Sequence, residues 1–331
     1  MLTEPDRTLI NQWQSDFPLC ERPFDQVAAM MSASLNRPVE AAKIIERIGW
    51  LLQQGYLSRF APMYHVERLG GTVTLVATRV ATERFEAVVQ QINSFPEVSQ
   101  NYARDHHFNL WFVVATETIA RQTEVLAAIE AATGCELLNL PKLAEFRIGF
   151  QLYLTEQGID TVACPSQTTV TDGMVDPGER EIITATQQGL PLVERPYHAL
   201  ADRLDKPVSA VIGTLQRLLN CGIIRRIGLV PNHYRLGLVA NAMTVWDVAD
   251  EKIAQLGQQV GDLGFVTHCY HRPRHPPHWP YNLFAMVHGP DRETVAGRVH
   301  HIRQQLLPHL DGADVLYSQR ILKKTGFRLA L

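Results

Sequence analysis

The sequence predicts an α+β protein made of two tandem copies of a winged helix-turn-helix domain followed by a ferredoxin-like αβ sandwich. Two observations predict this fold. Short motifs of the first half recur in the same order in the second half, and in each half three helical patterns precede an alternation of strands and helices. The length of 331 residues also exceeds what one hydrophobic core usually organises, so several domains are expected.

The repeat is clearest in two pairs of segments. L-C-E-R-P-F at 19–24 recurs as L-V-E-R-P-Y at 192–197, and N-Y-A-R at 101–104 recurs as C-Y-H-R at 269–272. Each copy has the size of a pair of small domains. A linker is expected between the copies, where the chain becomes rich in Thr, Gly, Ser and Pro. The predicted units are winged helices at 1–70 and 176–236, ferredoxin-like units at 71–154 and 237–331, and a linker at 155–175.

The third helix of each winged-helix domain has the strongest pattern. Apolar residues recur at helical spacing over 39–54 and 208–219, and Gly55 and Gly222 follow these segments. After each glycine comes a short apolar run, which we expect to form a two-stranded wing through a hairpin within the same copy. Three helices followed by such a wing are typical of a winged helix-turn-helix domain.

Composition and charge narrow the class of protein. The chain has 46% hydrophobic residues, no apolar run of about 18 residues and no basic start followed by an apolar run, so we expect a soluble, cytoplasmic protein with no membrane partner. Its five cysteines contain no C-x-x-C pair, which argues against a zinc site or a disulfide framework. Residues 1–150 carry 13 Lys and Arg against 17 Asp and Glu, and residues 176–331 carry 18 against 14. Opposite charges favour docking of the two copies as an internal pseudo-dimer.

Two segments carry a resemblance to known families. A winged helix followed by this αβ unit resembles the Lrp/AsnC family of transcription regulators over nearly the whole of each half. N-Y-A-R-D-H-H-F-N-L-W-F at 101–112 and T-H-C-Y-H-R-P-R-H-P-P-H-W-P-Y-N-L-F-A-M-V-H-G at 267–289 more specifically resemble the paired subunits of the siroheme decarboxylase family. The first half is similar to the D-type partner and the second half to the L-type partner, here fused in one chain. Gln100 departs from the pattern, because a histidine matching His268 is expected there.

The resemblance implies both a substrate and a reaction. The substrate is siroheme or a related iron tetrapyrrole, and the reaction removes CO₂ from its two acetate side chains on rings C and D to give 12,18-didecarboxysiroheme for haem d-type biosynthesis. Because the macrocycle itself provides the electron sink, no cofactor and no metal beyond the substrate iron are expected.

The candidate site residues cluster in the same two segments. Arginine binds carboxylates in bidentate fashion and keeps its charge, while imidazole donates a proton near neutral pH or ligates iron. The candidates for proton delivery are His106, His107, His268 and His275. The candidates for substrate binding are Tyr102, Arg104, Tyr270, Arg272, Arg274, His271, Trp279 and Tyr281. No role is assigned to His65, His198, His233, His300, His301 or His309.

Other interpretations of these patterns stay open. The proline-rich segment around Pro276 could be a solvated hairpin tip, and its histidines could hold a metal apart from the tetrapyrrole, although no carboxylate lies within the cluster. The main rival functions are a DNA-binding regulator and a haem-binding protein without catalysis. The helices at 39–54 and 208–219 carry few unopposed basic residues, so we expect no specific nucleic-acid binding. A homodimer also stays open.

Overall fold

The computed structural model describes residues 2–162 and 175–326, with the side chains of 160–162 left aside. Its elements follow the repeat. In the first copy they are α1 (Glu4–Trp13), α2 (Pro23–Leu35), α3 (Ala41–Gln53), β1 (Leu57–Tyr64), β2 (Thr72–Thr78), α4 (Phe85–Ser94), β3 (Val98–Arg104), β4 (Leu110–Thr116), α5 (Ile119–Thr133), β5 (Leu137–Pro141) and β6 (Ala144–Ile148). In the second copy they are α6 (Pro177–Thr186), α7 (Pro196–Leu204), α8 (Val208–Asn220), β9 (Ile224–Pro231), β10 (Ala240–Val248), α9 (Ile253–Gly261), β11 (Val266–His271), β12 (Leu283–Gly289), α10 (Arg292–Leu306) and β13 (Leu310–Lys324).

A short hairpin lies at the junction of the copies. It consists of β7 (Gln151–Leu154) and β8 (Ile159–Val162), so the predicted linker begins inside an antiparallel pair of strands. The side chains of Asn11 on α1 and of Gln14 just after it hydrogen-bond the backbone of Leu154 and Leu152, which fixes the hairpin against the first helix. Residues 163–174 of the predicted linker lie outside the described residues.

The first helix of each copy begins with the same device. Thr3 and Asp176 are the N-caps, and an acidic side chain at the third helical position, Asp6 or Glu179, closes a capping box with each. The same carboxylates bind an arginine of the third helix: Asp6 pairs with Arg47, and Glu179 pairs with Arg217. In each copy one ion pair therefore connects the first helix to the third.

The predicted wing within each copy is wrong. Among the described residues each copy supplies one wing strand, and β1 pairs antiparallel with β9 of the other copy, with Phe60 opposite Leu229. The core beneath this ribbon is also shared, because one cluster of buried residues includes Ile48 and Phe60 of the first copy and Leu215 and Leu229 of the second. Because β1 and β9 bury their apolar side chains in this shared core and pair with each other, neither strand needs a hairpin partner from its own copy.

The two ferredoxin-like units join into one sheet. Its strand order is β5-β2-β4-β3-β13-β10-β12-β11-β6, and β13 crosses the join: Tyr317 pairs with Ala242 of β10, while Ser318 pairs with Arg104 of β3. The outermost strands β5 and β6 are consecutive in the chain, with only Lys142 and Leu143 between them. The two edges of the sheet are thereby brought together.

The two faces of this sheet have different neighbours. Helices α4 and α5 cover one half of the outer face with a core that includes Phe112, and α9 and α10 cover the other half with a core that includes Trp246. The inner face carries a third cluster that includes Trp111, Met243 and Leu316, contributed by both copies. No helix in the described part of the chain is long and apolar enough to cross a membrane.

Candidate active site

Two matching strands of the inner face carry the candidate tyrosines and arginines. Tyr102 and Arg104 lie two residues apart on β3, and Tyr270 and Arg272 lie two residues apart at the end of β11, with Arg272 directly after the strand. Residues two apart in a strand point to the same face, so each pair shares one face. The guanidinium carbon of Arg104 lies 5.8 Å from the ring centre of Tyr102, and that of Arg272 lies 5.0 Å from the ring centre of Tyr270. The predicted pairing of each tyrosine with its arginine is present in both copies.

Both arginines reach across to the other copy. The Nη1 group of Arg104 donates to the carbonyl oxygen of Leu316 at 2.9 Å, and the Nη1 group of Arg272 donates to the carbonyl oxygen of Leu140. Burial lowers the pKa of each arginine to about 10. The Nε group of each is buried and has no hydrogen-bond partner among the described residues.

Further buried guanidinium groups lack partners near the same strands. The Nε groups of Arg225 and Arg147 are buried without a hydrogen-bond partner, and none of the ion pairs within residues 2–162 and 175–326 involves either arginine, Arg104 or Arg272. A buried cation without a counter-charge destabilises the fold by several kcal/mol. Each buried hydrogen-bonding group without a partner costs about 1–3 kcal/mol. These side chains are therefore suited to a ligand that brings its own carboxylates.

A group of histidines lies beside these arginines. The hydroxyl of Thr267 is 2.9 Å from Nδ1 of His268 and 2.9 Å from Nε2 of His288. The ring of His233 lies 5.0 Å from that of His288, and Phe150 packs against both at 5.0 and 4.8 Å. Four elements distant in the sequence thus meet at one place.

The environment keeps these histidines neutral. Burial lowers the pKa of His268 to about 4, assisted by the charge of Arg225. Burial also lowers the pKa of His233 to about 3, with a smaller effect from Lys324, and it lowers the pKa of His288 well below its usual range. Burial likewise raises the pKa of Tyr102 to about 12 and raises that of Tyr270. At neutral pH these histidines and tyrosines are uncharged, and the charges that act on them include those of the arginines, Lys324 and the carboxylate of Glu145.

Lys324 connects this group to a cavity of about 260 Å³. Its Nζ lies 5.9 Å from the ring centre of Tyr234, and its pKa is lowered by burial and by the charge of Arg59. The cavity is lined by Ser58, Arg59, Gln187, Gln188, Lys324, Thr325 and Gly326. The residues Arg104, Arg272, His268, His233 and Lys324 are linked by their charges and by Tyr234: Arg272 lowers the pKa of His268, Lys324 lowers that of His233, and Tyr234 lies beside Lys324 and raises the pKa of Arg104. We refer to the region around these five residues as the cationic cleft.

The other candidates lie in a second region, around the 275–281 loop. Arg274 is bound by two carboxylates, with its Nη2 2.7 Å from Asp247 and its Nη1 on Asp250. His275 places Nε2 2.8 Å from the carbonyl oxygen of Asn139. Trp279 is only 1% exposed. These contacts engage Arg274, a candidate for substrate binding, and Nε2 of His275, a candidate for proton delivery, whereas the buried Nε1 group of Trp279 has no hydrogen-bond partner among the described residues.

His106 is held in this second region as well. Its Nδ1 accepts a hydrogen bond from the Phe108 amide at 2.9 Å, and its Nε2 is 3.2 Å from the carboxylate of Asp314. Its ring lies 5.8 Å from that of Trp279. The remaining members of the region are His107, which is exposed, His271, whose pKa is lowered by burial, and Tyr281, whose ring is 5.0 Å from Trp279.

The structure thus divides the predicted residues into two sets. Tyr102, Arg104, His268, Tyr270 and Arg272 border the cationic cleft. The adjoining region around the 275–281 loop holds His106, His107, His271, Arg274, His275, Trp279 and Tyr281. Phe284 connects the two regions, because its ring lies 5.7 Å from the guanidinium carbon of Arg272 and 5.8 Å from the ring of Trp279. Sequence reasoning missed His233, Tyr234, Phe150 and Lys324. For His233 a signal existed, since it begins the segment H-Y-R-L-G at 233–237, which matches H-V-E-R-L-G at 65–70 of the first copy.

Comparison with known proteins gives consistent matches. The family model of the AsnC-like ligand binding domain matches residues 68–147 and 235–323, and the model of the siroheme decarboxylase NirDL-like HTH domain matches residues 179–225. The siroheme decarboxylase of Hydrogenobacter thermophilus is 32% identical over 323 residues, which is 95% of this chain and 92% of the relative. The siroheme decarboxylase NirH subunit of Pseudomonas aeruginosa is 53% identical over 151 residues, 46% of this chain and 88% of the relative.

A solved structure matches over nearly the whole chain. It is the siroheme decarboxylase NirDL in co-complex with an iron-uroporphyrin III analogue, with a TM-score of 0.71 and 28% sequence identity. The match covers 98% of this chain and 94% of that one. Both copies and their arrangement are therefore similar to those of that protein.

Proposed function

Since this chain belongs to the siroheme decarboxylase family, we propose that it removes CO₂ from the two acetate side chains on rings C and D of siroheme, giving 12,18-didecarboxysiroheme. The single observation that carries this proposal is that Arg104 and Arg272 on the inner face each have a buried Nε group without a hydrogen-bond partner and form no ion pair among the described residues. Siroheme is a flat macrocycle with carboxylates around its rim, and such a rim supplies the missing counter-charges.

In the proposed complex the arginines hold the substrate and orient it. Arg104 and Arg272 each use one Nη group on a backbone carbonyl, which leaves the rest of each guanidinium for a carboxylate. Tyr102 and Tyr270 lie under these guanidinium groups and offer phenol groups that stay protonated. Residues of both copies would therefore contact one ligand.

The chemistry requires a broken C–C bond and one proton per acetate. The bond between the methylene carbon and the carboxylate breaks and CO₂ leaves. The electron pair of the broken bond stays on the methylene carbon and is delocalised into the macrocycle. A proton then binds the methylene carbon and forms a methyl group, which calls for an acid at that carbon. We assign this role to His268, because it borders the cationic cleft, whereas His106 and His275 are bound to Asp314 and to a backbone carbonyl.

The substrate would adjust the acidity of this histidine. Arg225 and Arg272 both lower the pKa of His268. Carboxylates of the substrate would neutralise these charges and raise the pKa of His268, which allows it to carry a proton when the substrate is present. No further cofactor enters this proposal.

The winged helices have an architectural part in the proposal. The basic side chains on their third helices are already paired within the protein: Lys43 with Glu46 at 2.8 Å, Arg47 with Asp6, and Arg217 with Glu179. Binding of DNA phosphates needs free cations on this face. We therefore propose that these helices support the cleft and do not read DNA.

Location and assembly complete the proposal. The four cysteines of the described residues, Cys20, Cys135, Cys221 and Cys269, are free thiols, which supports a reducing, cytoplasmic location. The Pseudomonas aeruginosa relative is named as a subunit, which supports a further subunit as partner of this chain in place of, or beside, a second copy.

The test is anaerobic incubation of siroheme with the purified protein, followed by mass spectrometry of the tetrapyrrole. We expect loss of two CO₂ units in two steps. A Soret shift without any change in product mass would overturn the enzyme and leave a haem-binding protein.

A further inference from the structure

We propose that Asn241, His288 and Thr267 form a positioning chain that locks the proton of His268 on Nδ1 and presents the lone pair of Nε2 to the cationic cleft. The proposal rests on the proposed function for its role in catalysis, but its structural part stands alone. The chain is continuous: Asn241 contacts Nδ1 of His288, Nε2 of His288 contacts Thr267, and Thr267 contacts Nδ1 of His268.

The direction of the hydrogen bonds follows from Asn241. Its Nδ2 donates to the carbonyl oxygen of Leu238 at 3.1 Å, so its Oδ1 faces His288. An amide oxygen only accepts, so Nδ1 of His288 must donate. Because His288 is neutral, its Nε2 then accepts the hydrogen of the Thr267 hydroxyl.

The last step fixes His268. A threonine hydroxyl has one hydrogen, and His288 receives it. Toward His268 the Thr267 oxygen can only accept, so Nδ1 of His268 carries the hydrogen at 2.9 Å. In neutral imidazole the other nitrogen is then unprotonated. The charged groups that act on this ring are Arg225, Glu145 and Arg272.

The first copy keeps only the hydroxyl of this chain, because Ser99 matches Thr267 but donates to the carbonyl oxygen of Val113. In the sheet Val73 pairs with Ala115 where Asn241 pairs with His288 in the second copy. Gln100 stands at the position of His268, and it accepts a hydrogen bond from Tyr102 at 2.8 Å. The positioning chain, and with it the histidine that carries the proton, therefore belongs to the second copy.

This arrangement has a chemical consequence for turnover. With Nδ1 held by Thr267, only Nε2 can bind a proton from the cleft and return it to the methylene carbon of the substrate. Each decarboxylation consumes one proton, and the same nitrogen would deliver both. Thr267, His288 and Asn241 are positioning residues in this scheme, because they act through His268.

The tautomer can be measured without substrate. In enzyme labelled with ¹⁵N-histidine, the signals of His268, assigned by their loss in His268→Gln, should show a protonated Nδ1 and an unprotonated Nε2. In Thr267→Val the hydrogen should move to Nε2, and Thr267→Ser should restore the original form. Finding the Nε2–H form in the unchanged protein would overturn the positioning chain.

The effect on turnover provides the second measurement. Thr267→Val should lower kcat about 10- to 100-fold with KM unchanged, the loss typical when a group that orients a site histidine is removed, and Thr267→Ser should keep most activity. Thr78→Val is the matched control, since Thr78 is equally buried on a strand and donates its hydroxyl to a carbonyl far from the cleft. Equal losses in Thr78→Val and Thr267→Val would refute the assignment.

Two outcomes separate this inference from the proposed function. If Thr267→Val does not fold, Asn241→Leu breaks the chain at its other end and should produce the same change of tautomer. If the unchanged enzyme shows the Nδ1–H form but makes no decarboxylated product, the proposed reaction fails and the tautomer assignment stands.

Discussion

Arg104 and Arg272 occupy the same position in the two copies, and each donates a hydrogen bond to a backbone carbonyl of the opposite copy, at Leu316 and Leu140. The two bonds are related by the internal pseudo-symmetry of the sheet. Each guanidinium is thus held in place by the copy to which it does not belong, while its Nε group stays without a partner. Neither copy alone would position its own arginine.

Replacing either arginine by alanine should weaken substrate binding strongly. A hydrogen bond to a charged group is worth about 1.5–3 kcal/mol, so the Kd for siroheme should rise about 10- to 100-fold, as measured by absorbance titration. Arg84→Ala is the control, because Arg84 also donates to a backbone carbonyl, that of Thr133, away from the cleft. A similar rise in Kd in the control would contradict the role of Arg104 and Arg272.

Replacing His268 should separate rate from binding. His268→Gln should lower kcat about 10²- to 10⁴-fold, the usual contribution of a positioned acid, and the spectrum of the bound tetrapyrrole should persist. His106→Gln, His107→Gln and His275→Gln should keep most of the activity in the same single-turnover assay, because His106 is engaged by Asp314, His275 by the carbonyl of Asn139, and His107 is exposed. If His268→Gln were fully active, Tyr102 and Tyr270 would become the candidates for the acid.

The buried histidines should make the ligand-free protein sensitive to acid. The pKa of His233 is lowered to about 3 and that of His268 to about 4, so below about pH 6.5 the unfolded chain binds protons that the folded protein excludes. The free energy of unfolding should therefore fall as the pH drops from 6.5 toward 4, by up to about 1.4 kcal/mol per pH unit for each histidine. Thermal unfolding at several pH values measures this slope.

A matched pair of variants tests the origin of that slope. His233→Gln should flatten the dependence of Tm on pH, since one excluded proton is removed. His107→Gln should leave it unchanged, because His107 is exposed. An unchanged slope in His233→Gln would show that this histidine binds protons as readily in the folded protein as in the unfolded chain.

We expect no sequence-specific DNA binding at physiological salt. The arginines of the third helices are engaged by Asp6 and Glu179, which leaves few free cations to release counterions from phosphates. Fluorescence anisotropy with random duplexes should show only weak binding that disappears steeply as salt is added. A duplex bound with nanomolar Kd at physiological salt would restore the regulator interpretation.

The sequence predicts the local elements well and their long-range pairing poorly. The helix at 39–54 corresponds to α3 (Ala41–Gln53), because apolar spacing and a following glycine are local signals. The partner of β1 is not local: the same apolar strand can pair within its copy or with β9, and packing of the two winged helices decides for β9. The same limit applies at the end of the predicted 71–154 unit, where the chain forms two strands with different partners: β6 pairs with β11 of the other copy, and β7 pairs with β8.

The candidate site shows the same limit. Arg104 and Tyr102 are two residues apart, so strand alternation places them on one face, and this prediction depended on nothing distant. His233 and His288 are 55 residues apart in the sequence, and only the tertiary fold brings their rings into contact. Arg274 likewise forms ion pairs with Asp247 and Asp250, which precede it by more than 20 residues. Side-chain type alone does not distinguish an arginine already paired from one that awaits a ligand.

The strand β13 pairs with β10 of its own copy and with β3 of the first copy, so the two copies form one sheet within one chain. This covalent connection affects how the sequences of the two copies can diverge during evolution. In an assembly of identical subunits every substitution appears twice, so a residue useful on one side and harmful on the other cannot be kept. Here Ala115 and His288 occupy matching positions in one polypeptide and are inherited separately. Under the proposed function, fusion therefore allows the second copy alone to carry His268 and its positioning residues, while both copies keep an arginine for the macrocycle and the sheet that joins them is unchanged.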